Sequence, residues 1–171
     1  MQIVTYPGPA LRRGGQKVER FDAELARTAR EMFDTMYELG GVGLAAPQVG
    51  LDLSLLVLNP SGDRAQAEGE LVIVNPQIVA RKGSEFGEEG CLSFPGIYAE
   101  VERARSITVA YQDLDGQPQE LRIADFLARI VQHEVDHLKG VLFVDRLSSV
   151  EKLRVRARLA EMERAFEAAR A

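Results

Sequence analysis

The sequence predicts a single α+β domain, and three observations predict it. Apolar residues recur at helical spacing near the start of the chain and again over its last third. The stretch between reads as short strands, and from Ala124 the apolar period lengthens from about two to about 3.6. The 171 residues suffice for one substantial core, and 46% hydrophobic with 27% charged residues is ordinary for a globular chain.

The first helix is marked by Leu25, Ala29, Met32, Met36 and Leu39, an amphipathic stripe closed by Gly40 and Gly41. Strand-like segments follow. Leu51, Leu53, Leu55 and Val57 alternate, Leu71 to Val74 form an apolar run, and residues 105–113 and 117–123 flank the turn Asp115-Gly116 as a hairpin. Phe126, Ile130, His133 and His137 then share one helix face, with Asp125 as the expected N-cap and Gly140 as the stop. A last helix is expected over 149–169, its stripe being Val155, Leu159, Met162 and Phe166. No linker, repeat or low-complexity tract interrupts this plan, so residues 1–171 read as one domain, a core of 1–147 plus a C-terminal helix from 148 to 171.

Composition excludes several classes of function. No apolar run approaches the roughly 20 residues of a membrane span, and Met1 to Pro7 lacks the charged and apolar regions of a signal peptide. The lone cysteine cannot form an internal disulfide, which fits a reducing cytoplasm. The net charge of −5 argues against DNA or RNA as the main ligand. That charge is uneven. Residues 149–171 carry six basic and four acidic side chains, net +2, against 15 basic and 22 acidic, net −7, in the rest.

The chemistry concentrates at three places. Both histidines fall within His133-Glu134-Val135-Asp136-His137, a spacing that puts two imidazoles on one helix face about 6 Å apart, with a carboxylate beside them as candidate general base. The only cysteine, Cys91, lies in the Gly-rich run Glu88-Glu89-Gly90-Cys91-Leu92-Ser93. His-His-Cys is the one possible soft-ligand set, and three ligands leave the open position of a catalytic metal site. The third place is Gly41 to Gly50, where small residues permit close backbone approach and Gln48 offers an amide donor.

Together the three segments resemble peptide deformylase. The family's GxGxAAxQ, EGCLS and HExDH signatures stand here as Gly43 to Gln48 within GVGLAAPQ, Glu89 to Ser93, and His133 to His137, complete and in family order, within a likeness running from Ile3 to about Leu147. The resemblance implies mixed, mainly antiparallel sheets packed around a central HExxH helix. It implies one divalent metal ion on Cys91, His133 and His137, normally Fe2+ in the cell, with Zn2+, Ni2+ or Co2+ able to take its place. Metal-bound water would attack the formyl carbon of an N-formylmethionyl nascent peptide. Glu134 would act as base and then acid, while the Gln48 side chain and the Leu92 N–H hold the oxyanion. The peptide would pair as a strand near Val42, Gly43 and Leu44 on one side and Glu88 to Gly90 on the other. Val42, Phe126 and Ile130 are expected around the methionine side chain, and Arg103 near the substrate backbone; Arg129 could face substrate or solvent. The basic residues Lys152 to Arg158 would suit docking on the ribosome. Competing readings are an HExxH endopeptidase, which has no use for EGCLS, and a silent metal-binding homologue, which has no need to keep Gln48, Cys91 and Glu134 together.

Overall fold

The computed structural model describes residues 1–170. The chain begins with a short turn of helix, α1 (Ala10–Arg13), and then α2 (Ala23–Glu38). The strands follow as β1 (Gly43–Ala45), β2 (Leu55–Leu58), β3 (Leu71–Lys82), β4 (Glu85–Gly90), β5 (Tyr98–Arg103), β6 (Ser106–Gln112) and β7 (Pro118–Ala124). Two helices complete the chain, α3 (Asp125–Leu138) and α4 (Ser149–Ala168).

Five strands form one antiparallel sheet in the order β1-β2-β3-β6-β7, and β4-β5 form a separate antiparallel pair. Strand β2 shows how the layers stack. Leu55 and Val57 pack with α2 on one face of the large sheet, whereas Leu56 and Leu58 pack with α3 on the other. A strand covered on both faces reads as continuous apolar sequence rather than as an alternation, so β2 begins only at Leu55. Leu53, expected within the strand, makes an isolated bridge to Gln16 instead.

Helix α3 lies between the two sheets. Ala128, Val131 and Val135 face the large sheet, while Arg129, Gln132 and His133 reach β4, β5 and the link after β5. Every residue from Ala128 to Leu138 is therefore buried. A third cluster, with Phe94, Ile97, Val101, Phe143 and Val155, seats α4 against β5.

The hairpin of β6 and β7 forms as expected, register Ser106↔Ala124 through Gln112↔Pro118, and Gly116 takes the positive φ of 76° that its turn needs. Asp22 caps α2 by accepting from the Glu24 and Leu25 amides. Two further expectations give way. Asp125 does not cap α3: its φ is +55° and its carboxylate pairs with Arg105. On α4 the stripe is shallow, since Val155 is buried and Leu159 and Met162 only partly so, while Phe166 lies under the Arg170 guanidinium rather than in the core. Ser148 caps this helix by accepting from the Glu151 amide, and Lys152, Arg154, Arg156 and Arg158 are exposed along it.

Candidate metal centre

Helix α3 presents its two imidazoles together because residues four apart stand one above the other on a helix face. His133 Nε2 and His137 Nε2 are 3.3 Å apart, and Cys91 Sγ, just past the end of β4, lies 3.3 Å from His137 Nε2. All three donor atoms fall within 4.8 Å of one another. Nitrogen and sulfur ligands at ordinary zinc-like bond lengths on a tetrahedron are about 3.3–3.6 Å apart, so the residues fit one small divalent cation.

The tautomers are set by the surroundings. His133 Nδ1 donates to Glu89 Oε2 at 2.9 Å, which leaves its Nε2 to face the other donors. Glu89 in turn accepts from Arg103 through Nε (2.8 Å) and Nη2 (2.9 Å), and from Arg129 Nη1 (2.9 Å). Burial alone would raise the Glu89 carboxyl, but Arg103 and His133 outweigh it and hold the group well below its ordinary 4.5. His137 is shifted down as well. Burial and the neighbouring His133 keep it well below 6.5, so the ring is neutral and one nitrogen keeps a free lone pair. Burial also opposes a charge on His133, yet Cys91 and Glu89 beside it prevail and raise its pKa. In the metal-free chain His133 thus holds the proton that a cation would displace.

Glu134 faces the same space from the other side. It is buried, its Oε2 has no hydrogen-bond partner among the described residues, and burial pushes its carboxyl up to about 7. Such a group exchanges protons near neutral pH. Gly43 of β1 makes room for it: a Cβ there would lie 2.6 Å from Glu134 Oε1. Gln48 is held in one orientation, its Oε1 accepting from the Ala45 amide (2.9 Å). Its Nε2 donates to Ser93 Oγ (3.2 Å) and approaches Cys91 Sγ at 3.4 Å. The amide therefore points donors toward the cluster.

A cavity of about 470 Å3 opens onto these groups, between β1 and β4. Of the residues expected around a substrate, Val42, Gly43, Gly90, Leu92, Phe126 and Ile130 all line it. Phe126 is 54% exposed, which rules out ordinary core packing at that position. Arg103 does not line the cavity. It is 5% exposed and spends its donors on Glu89 and, at 2.5 Å, on Asp136 of α3, so the expected contact with a substrate backbone is replaced by a buried ion pair. Arg129 does reach the wall. Sequence reasoning missed Tyr98, an exposed aromatic on the cavity rim, and the supporting role of Glu89, although Glu89 stands inside the EGCLS motif. It also missed Asp136, which holds Arg103 and Arg146 from within the histidine motif.

Comparison with known proteins gives a consistent result. A family model described as polypeptide deformylase matches residues 1–153. The peptide deformylase of Nitrosococcus oceani is 43% identical over 164 residues, 96% of this chain and 96% of that protein. The chloroplastic peptide deformylase 1B of Solanum lycopersicum is 42% identical over 98% of this chain, which spans 60% of that relative's length. Among solved structures, a Plasmodium falciparum peptide deformylase superposes with a TM-score of 0.96 at 41% identity, covering 99% of both chains.

Proposed function

Because the chain belongs to the peptide deformylase family, we propose that it hydrolyses the N-formyl amide of N-formylmethionyl nascent peptides, releasing formate and a free amino terminus. One observation carries the reading: a cluster of three metal-donor atoms adjoins one open cavity that Cys91 and His133 line together with a buried carboxylate lacking a partner at Oε2 and a pinned amide donor.

Cys91, His133 and His137 would hold the cation, Fe2+ in the cell, with Zn2+, Ni2+ or Co2+ accepted by the same donors. When bound, that ion supplies Lewis acidity and makes water a usable nucleophile near neutral pH. Glu134 takes the proton from the attacking water and later returns it to the leaving amine, and its burial beside the cavity makes the carboxylate a stronger base for the first step. The Gln48 Nε2 and the Leu92 N–H stabilise the oxyanion that develops on the formyl oxygen, donors typically worth roughly 3–4 kcal/mol each. The peptide adds as a strand between β1 and β4, the open edges beside the cavity. Val42, Phe126 and Ile130 enclose the methionine side chain, and Gly43 and Gly90 lie along the peptide main chain.

Formate release from formyl-Met-Ala-Ser by the Fe2+ or Ni2+ protein tests this directly. No formate from fully metallated protein overturns the activity, and full activity in Glu134→Ala removes Glu134 from its role.

The exposed basic face of α4 is proposed to dock on the ribosome, where formylated chains emerge in the cytoplasm. Replacing the exposed Lys152, Arg156 and Arg158 by glutamine, with α4 left in place, should weaken ribosome co-sedimentation while sparing turnover of the short peptide. Equal co-sedimentation would sink the idea.

A further inference from the structure

Two buried arginines share Glu89, and they differ in what else they hold. Arg103 gives its third nitrogen to Asp136, so its partners sit beside His133 and His137. Arg129 holds Glu89, lies 3.9 Å from the Glu85 carboxylate, and donates its hydrogen bonds beyond Glu89 to main chain. Its Nη1 donates to Val101 O of β5 (2.9 Å) and lies 3.4 Å from Gly87 O, and its Nη2 donates to Glu85 O of β4 (3.1 Å). Gly87 has no positive φ to explain its lack of a side chain. A Cβ there would stand 2.9 Å from Arg129 Cζ and 3.0 Å from Nε. Glycine at 87 therefore lets the guanidinium lie against the strand.

The β4-β5 pair is a two-stranded ribbon, marginal by itself. Its placement over α3 depends on ties across the gap, and Arg129, which lines the cavity, supplies several of them to the β4 and β5 main chain. We infer that Arg129 is a positioning residue that fixes the β4 edge on which the peptide main chain pairs, while Arg103 serves the metal ligands. This rests on the strand-addition reading above, and it deepens that reading by naming what holds the strand.

The test compares kcat/KM for formyl-Met-Ala-Ser, which has main chain to pair along β4, with that for formyl-Met, which has almost none. The Ni2+ protein is assayed as wild type, Arg129→Met, Arg129→Lys and Gly87→Ala. The alanine variant displaces the guanidinium while leaving every charge present, and so covers the case in which Arg129→Met fails to fold. The advantage of the tripeptide should fall about tenfold in Arg129→Met, mainly through KM, as expected for the loss of charge-assisted bonds worth about 1.5 kcal/mol or more. It should fall in the same direction in Gly87→Ala and recover in part with lysine. An unchanged advantage in both Arg129→Met and Gly87→Ala overturns the proposal, as does an equal loss on both substrates. A wild type with no tripeptide advantage overturns strand addition itself, and the proposal with it.

Discussion

Replacing Glu134 by glutamine should stabilise the metal-free chain at high pH. The carboxyl is buried and its Oε2 has no partner among the described residues, so burial raises its pKa from 4.5 to about 7. A folded value above the unfolded one means that the folded chain binds the proton more tightly. The stability this provides is complete below about 4.5 and is lost as the pH rises through 7. The gap between 4.5 and about 7 corresponds to roughly 3 kcal/mol. Glutamine has nearly the same shape and cannot ionise, but it brings an amide donor into the same space at a cost of about 1 kcal/mol. The variant should therefore be close to wild type at pH 5 and more stable by roughly 2 kcal/mol at pH 8.5. Urea unfolding in the presence of a chelator, followed by circular dichroism at the two pH values, measures the difference. A variant whose stability relative to wild type is the same at pH 5 and pH 8.5 refutes the reasoning. Saturating Zn2+ should shrink the advantage, because a cation favours the ionised carboxylate.

Gly43→Ala places a Cβ 2.6 Å from Glu134 Oε1 and 3.0 Å from Ile130 Cγ2. Either the carboxylate turns away or β1 shifts, and kcat/KM should fall by about tenfold or more with a stability loss of about 1–3 kcal/mol; wild-type turnover would contradict the packing. Arg103→Met leaves Glu89 and Asp136 short of their buried cation, and urea unfolding should show a loss of about 3–5 kcal/mol, a result below about 1 kcal/mol being incompatible with that view. Glu89→Gln should speed loss of the metal to a competing chelator by about 10–100-fold, since Glu89 orients His133. The same variant bears on acid stability. The Glu89 carboxyl is held well below 4.5 by Arg103 and His133 against burial, so its contribution is present above 4.5 and lost as the pH falls below it. Wild type should lose that stability on acidification and the glutamine variant should not.

Much of the fold was legible because its signals are local. The β6-β7 hairpin announces itself through Asp115-Gly116 and flanking strand residues, and α2 through a regular apolar stripe. The β4-β5 pair was not legible as strands. Glu85 to Gly90 holds two glycines and three glutamates, a composition of poor strand formers, and Glu88 faces Glu100 directly across the ladder. That pair exists because α3 and α4 hold it: Arg129 bonds its backbone from one side, and Glu151 accepts from the Glu100 amide on the other. Tertiary contacts of this kind leave no periodic trace in sequence.

The candidate metal ligands stand out in the sequence for a related reason, and Arg103 was misread for its opposite. Cys91, His133 and His137 are the only thiol and imidazole donors in the chain, so composition alone singles them out. Nothing comparable separates Arg103 from the other arginines, and its partners are 14 and 33 residues away. Their pairing nonetheless follows from the needs of the site. Two histidines and a thiol must be buried in order to be rigid, and rigid only if His133 is turned by a carboxylate at Nδ1. A buried carboxylate must itself be neutralised. Glu89 and Asp136 are balanced by Arg103 and Arg129, with Arg146 on Asp136 at the half-exposed edge. The supporting charges thus nearly cancel among themselves. The carboxylate left without a balancing cation is Glu134, which stands beside the thiol of Cys91 at the open side of the cluster.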